Sequence, residues 1–286
     1  MRIRLLLMKP ILIRYSILLV LLISLGSWGE KAHRKINSSC VDYFPKELNA
    51  LKGWSATLGD YASDADSRKK TDKNEFVKHF IDIDNYTDFI SNHKIKEDFN
   101  AACTKYGKAT VNKNGTLPWV TDSTYKALVQ NFKSKNWQQA ELTVADLGHY
   151  VGDGFMPLHI TANYNGQFSN QTGIHRHYEE TMIDQYIDSI SFKTSRIKKV
   201  SDVHTYIFKY LYKNYSFINL LLQADKKANM KAGNQYNKIY YESLWKETHV
   251  FTIQLLQESS KTLASLIYSA WIEAGKPEIP DIQVRK

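Results

Sequence analysis

The sequence predicts an all-α fold, a single multi-helix domain, on three observations. Glycine and proline are sparse, at 13 and 6 of 286 residues. Apolar residues recur at helical spacing, as in Tyr206, Ile207, Tyr210, Leu211 and Tyr215. No internal repeat, Pro/Ser-rich linker or long block of like charge divides residues 28 to 286. The chain is 43% hydrophobic and 23% charged, which excludes collagen-like, low-complexity and disordered classes and leaves enough length for a sizeable core.

Taken from the amino terminus, residues 1 to 27 read as a secretory signal peptide. Lys9 and Arg14 precede an apolar run from Ile17 to Leu25, which is followed by the small residues Gly26 and Ser27. The run is too short to span a bilayer as a helix. Met8 is a second candidate start, directly ahead of the basic stretch. Four of the 38 basic residues and none of the 29 acidic ones fall before residue 28, so the remainder is only mildly basic. That balance is no signature of nucleic-acid binding by itself. The expected mature chain, residues 28 to 286, is secreted or periplasmic. Its two cysteines, Cys40 and Cys103, lie too far apart in sequence to argue for or against a disulfide.

Candidate helices cover about residues 30 to 44, 46 to 62, 82 to 104, 119 to 155, 173 to 194, 202 to 230 and 234 to 275, the third and fourth broken. The last follows from Leu244, Val250, Ile253, Leu256, Leu263, Leu266 and Ile267, a pattern running up to Trp271. Asn and Gly mark loops near 112 to 115 and 163 to 166.

The chemistry lies in how the histidines are spaced. Five of nine stand with acidic residues at ligand intervals: His33, His79 with Asp66, His149 with Asp153 and His159, and His175 with Glu179. Residues four apart in a helix share a face within about 6 Å, so His149/Asp153 and His175/Glu179 can each close on one metal ion. Asp153 falls in the otherwise apolar stretch 147 to 153, where an unpaired carboxylate is expensive to bury and a divalent cation compensates it. Imidazole and carboxylate without cysteine suit zinc first, then manganese or iron.

At these residues the chain resembles the superfamily of zinc-dependent phospholipases C and S-one/P-one single-strand nucleases. The resemblance runs in motif order: Trp28-Gly29-Glu30-Lys31-Ala32-His33 as the mature start, His79-Phe80-Ile81-Asp82, His149-x3-Asp153-x5-His159, and Gly173-Ile174-His175-x3-Glu179. It implies three zinc ions in a cleft. Asp66, His79, His149 and Asp153 are implied to hold the first, and His159, His175 and Glu179 the second. The third takes His33, Asp153 as a bridge, and the amine and carbonyl of Trp28, which is free to ligate only after cleavage following Ser27. Three aspartates lie in 59 to 66; the family pattern favours Asp66 as ligand, with Asp64 the alternative.

The mechanism this implies is attack of a zinc-activated water on a phosphodiester. Asp66 orients the water or accepts its proton, and Asp82 hydrogen-bonds a ligand or, alternatively, caps the next helix. The substrate end is mixed. The interval from Trp28 to His33 and the His-Phe-Ile-Asp tetrad resemble the nucleases. The short loop between His159 and His175, Glu179 itself and Phe76 resemble the phospholipases. Ser67, where phospholipases carry an aromatic, weakens choline preference, and Thr87 replaces a lysine that nucleases tend to have. Tyr150, Tyr164, Phe168 and Tyr178 either line the substrate cleft or pack helices. The reading taken is a monomeric phospholipase C-like phosphodiesterase acting on phospholipid, with a nuclease acting on single-stranded DNA or RNA as the alternative and a non-catalytic zinc-binding protein as the remaining one. No stable protein partner is implied.

Overall fold

A computed structural model describes residues 29 to 281; the segment expected as a signal peptide and Trp28 lie outside them. Among the described residues the chain is all-helical, without strands.

Helix α1 (Glu30–Ser39) continues as a 3-10 turn through Tyr43, and a longer 3-10 stretch, Lys46–Trp54, leads into α2 (Ser55–Asp60). A short α3 (Asp64–Arg68) follows in a region with no helical pattern. The segment 82 to 104 breaks more than its apolar pattern suggests: α4 (Thr87–Asn92) stops at His93, whose φ of 55° is left-handed. Helix α5 (Phe99–Tyr106) restarts where the Asp98 carboxylate accepts the Ala101 N–H. Helix α6 (Lys108–Lys113) occupies part of the expected loop.

The expected break within 119 to 155 falls at Ser134–Asn136. There α7 (Leu117–Lys133) ends, Lys135 adopts φ 55°, and Asn136 caps α8 (Trp137–Phe155) by accepting the Gln139 N–H. The stretch expected as one helix from 173 to 194 divides into α9 (Ile174–Arg176), a π-helical His177–Met182, α10 (Ile183–Tyr186) and a final 3-10 turn ending at Ser189. Residues 190 to 200 form a non-helical strap. The stretch 202 to 230 is two helices, α11 (Val203–Tyr215) and α12 (Phe217–Lys231), and α13 (Lys238–Glu273) runs 36 residues.

One apolar core collects Ile36, Leu58, Leu128, Phe132, Leu147, Val151, Phe208, Leu244, Leu256 and Ile267. Helix α8 lies at its centre, packed by α7, α13, α1 and α2. Helix α1 approaches α8 unusually closely. A Cβ on Gly148 would fall 2.1 Å from the Asn37 Oδ1, and one on Gly152 would fall 2.9 Å from the His33 ring. The Asn37 amide uses the gap, donating to the Leu58 carbonyl at 3.2 Å and the Ala145 carbonyl at 3.0 Å. Small hydroxyl residues let α13 do the same on the other side, where Ser260 Oγ donates to the Ile36 carbonyl at 2.9 Å. Two glycines and a hydroxyl thereby hold α1 where His33 faces α8.

Candidate metal centre

Six separate pieces of chain deliver polar side chains to the carboxy-terminal end of α8. That helix contributes His149 and Asp153, one turn apart, and both are fully buried. Helix α1 contributes His33, α3 Asp66, the turn after Phe76 His79, the 3-10 turn Pro157–His159 its histidine, and the α9/π segment His175 and Glu179.

Their ligating atoms fall into three groups, the first two sharing His149: Asp66, His79 and His149; His33, His149 and Asp153; and His159, His175 and Glu179. Within them His149 Nε2 is 3.0 Å from His79 Nδ1, 3.5 Å from Asp66 and 3.4 Å from Asp153 Oδ2. Asp153 divides its two oxygens. Oδ2 faces His79 at 3.0 Å and His149, while Oδ1 faces His33 at 3.5 Å and His159 at 3.4 Å.

These spacings suit metal ions. Four ligands on bonds of about 2.0 to 2.1 Å in a tetrahedron stand about 3.3 Å apart. Two contacts are near that separation yet lack hydrogen-bond geometry: His33 Nε2 to Asp153 Oδ1, and His159 Nε2 to Glu179 Oε2, both at 3.5 Å. Buried lone pairs that aim at a common point and not at each other are costly without a cation there. The opposite ring nitrogens are already fixed by backbone. His149 Nδ1 lies 2.8 Å from the Ala62 carbonyl, His159 Nδ1 2.7 Å from that of His79, and His175 Nδ1 3.1 Å from that of Tyr164. An N–H on Nδ1 leaves Nε2 as a lone pair facing the cluster, the arrangement metal-binding histidines use.

The electrostatics are those of a cluster short of positive charge: against its burial, Asp153 and Asp66 raise the His149 imidazole to about 9, so without a cation a ring proton answers the carboxylates. Burial, with His149 adding to it, lowers His33 to about 4, so its imidazole is neutral and able to ligate. Burial alone would raise the Asp153 carboxyl, but His149, His159 and the other ring contacts hold it well below the carboxylate range. Asp66 is likewise held low against its burial by His149 and Lys69, the latter at 2.6 Å.

The structure separates the alternatives that the sequence leaves open. Asp64 is exposed and in none of the three groups, and Asp60 pairs with Arg34 at 2.7 Å, so Asp66 alone of the three aspartates reaches the cluster. His177 faces away, stacked on Tyr236 at 3.7 Å with Nδ1 2.8 Å from the Tyr241 hydroxyl. Trp28 lies outside the described residues, although Gly29 is bonded to the ligand segment, its N–H donating to the Glu179 carbonyl at 3.4 Å. Asp82 neither caps the turn it precedes nor hydrogen-bonds a ligand. It lines the cleft beside His79, His159 and His175, with Phe76, Phe80, Lys69 and Lys113. Burial, and Asp84 beside it, push its carboxyl up to about 7. Tyr150 and Tyr178 are buried packing residues, whereas Tyr164 and Phe168 are exposed. Cys40 and Cys103 are both free thiols.

One participant has no motif to reveal it. Glu75 is buried, 3.5 Å from His79 Nε2, and accepts the Tyr150 hydroxyl at 2.5 Å and the Lys78 ammonium at 2.6 Å, with Arg68 at 3.5 Å. It stands behind His79 on the side away from the cluster, where a carboxylate fixes which nitrogen faces a metal. Its signal in sequence is only the i,i+4 spacing to His79, the same interval that marks the ligand pairs. No protein-family model matches the chain, and no curated protein matches it.

Proposed function

We propose that the chain is an exported zinc-dependent hydrolase of phosphoric diesters, phospholipase C-like. The observation that carries this reading is the meeting of eight histidine, aspartate and glutamate side chains in three ligand groups, of which His79, His159 and His175 line one cleft. Three zinc ions suit the three groups: Asp66, His79, His149 and Asp153 would hold one, His159, His175 and Glu179 another, and His33 with Asp153 and the Trp28 terminus the third. Zinc, when bound, would acidify water and neutralise charge on phosphoryl oxygens.

The protein groups have separable tasks. Asp66, the least buried of the carboxylates in the three groups, is ionised, so it can orient a water or accept its proton. Asp82, near 7, can carry a proton to or from the substrate side at neutral pH. Phe76, Phe80, Leu158 and Tyr164 give the cleft an apolar wall against which a lipid glycerol backbone can lie. A second reading, hydrolysis of single-stranded nucleic acid, draws on Lys69 and Lys113 in the same cleft, which suit a substrate with further phosphates.

The experiment is metal analysis of processed protein, followed by hydrolysis of phosphatidylcholine and of single-stranded DNA. About three zinc ions with faster release from phosphatidylcholine supports the first reading; faster cleavage of DNA replaces it with the second. One metal ion or none in active protein overturns both.

A further inference from the structure

Away from the cleft, a groove runs between the strap, the start of α11 and the carboxy-terminal half of α13. Arg196, Lys198 and Lys199 line it from the strap, Lys209 from α11 and Lys261 from α13. The strap is a built element. Ile190 and Ile197 are buried beneath it, Val200 donates its N–H to Ser269 Oγ at 2.8 Å, and the Tyr43 hydroxyl donates to the Lys193 carbonyl at 3.4 Å. Its apolar side chains point inward, which leaves Lys193, Arg196, Lys198 and Lys199 exposed.

The charge here is uncompensated. Some surface cations elsewhere sit on carboxylates, as Lys227 does on Glu247 and Arg176 on Glu180. None of the five groove cations makes an ion pair among the described residues. The one carboxylate in the lining, Asp202, is already committed to α11, accepting the Thr205 N–H at 3.0 Å and its hydroxyl at 2.7 Å. Glu258 lies near Tyr206 but pairs with none of the five. Five cations held together this way repel one another, and an external polyanion relieves that.

The geometry points to an acidic membrane surface as the partner, with an anionic phospholipid headgroup seated in the groove. A single-stranded nucleic acid would also bring phosphates, but the patch offers no exposed ring for bases to stack on: Phe192 and Tyr206 are half-buried against the core. No helix among the described residues is long and apolar enough to cross a membrane, so this contact is adsorption by charge. It is independent of which diester the cleft cuts.

The test mixes processed full-length protein with sedimenting vesicles of phosphatidylcholine, with or without about one-third phosphatidylglycerol, and measures the bound fraction. Cleavage of a soluble diester reporter is followed separately, so that loss of docking and loss of chemistry are told apart. Binding requires phosphatidylglycerol and disappears toward 1 M salt, where screening acts within about 3 Å. Lys198→Ala/Lys199→Ala weakens vesicle binding about 30-fold, at the strength expected per cation near such a surface, and leaves reporter cleavage unchanged. Equal binding to pure phosphatidylcholine, or no weakening in the double variant, overturns the proposal. So does release of the protein from vesicles by an equal charge concentration of single-stranded oligonucleotide.

Discussion

In the ligand cluster, Asp153 is fully buried with four histidines within 3.5 Å, whereas around the groove Lys198 and Lys199 stand in solvent without an ion pair among the described residues. Both regions concentrate one kind of charge, and they differ in what that charge costs. A buried carboxylate must meet its counter-charges inside the fold, so every neighbour is fixed in position. An exposed lysine remains hydrated and needs only a scaffold beneath it. Substitutions should therefore act steeply and cooperatively in the cleft, and shallowly and additively at the groove.

The strongest way to break this contrast is Asp153→Asn. It keeps the shape of a side chain whose two oxygens face different ligand groups, so more than one metal ion should be lost and hydrolysis should fall by more than about 100-fold, beyond what loss of a supporting partner causes. His177→Ala, two residues from His175 but turned onto Tyr236, should keep full metal content. Element analysis of the two purified variants decides it; equal loss would mean that the cleft is organised around the wrong histidine.

Metal removal comes next. Ions bound at about a thousand times their dissociation constant add about 4 kcal/mol each, so chelation should lower the melting temperature by on the order of 10 °C per ion. The groove variant Lys198→Ala/Lys199→Ala should shift melting by no more than about 2 °C. Comparable shifts in the two would erase the distinction.

Glu75→Gln sharpens the comparison by probing a buried charge that touches no other ligand. If it fixes the His79 ring, metal affinity should drop about 10- to 100-fold with the helical content unchanged by circular dichroism. An affinity equal to that of the parent would reduce Glu75 to a packing residue.

The smallest effect is a pH dependence. Asp82 has its carboxyl raised to about 7 by burial and by Asp84, partly offset by Lys113. A folded value above the unfolded one means that its contribution to stability is complete below about pH 4 and fades as pH rises through about 7. Asp82→Asn should therefore gain on the parent in melting temperature between pH 5 and pH 8. A difference that stays constant across that range would place the carboxyl back in its ordinary range.

How much of this was readable from the sequence follows the same division. His149, Asp153, His175 and Glu179 were visible because burial forces a helical interval on them, and the all-α class was visible in the apolar period. Glu75 was not, since the carboxylate is recognised by what folds behind it, a contact with Tyr150 across 75 residues. The breaks at His93 and Ser216 carry no glycine or proline to announce them. The expected helix from 173 to 194 overruns into the strap, where Ile190 and Ile197 face inward from non-helical backbone. A basic groove assembled from α11, α13 and the strap has no signature in any one of them.

Gly148 and Gly152 of α8 and the doubly donating Asn37 also act as a register lock on the first helix. Rotation of α1 by one residue, about 100°, would turn Asn37 out of the gap at Gly148 and His33 out of the one at Gly152 together. The helix can therefore neither slide nor turn to accommodate a changed beginning. A residue inserted between His33 and Asn37 sets the two anchors against each other, and only one can be seated. A residue inserted between Gly29 and Glu30 leaves both seated and shifts only what precedes the helix. The count of residues from the first turn of α1 to His33 is thus a built-in ruler, read off against α8.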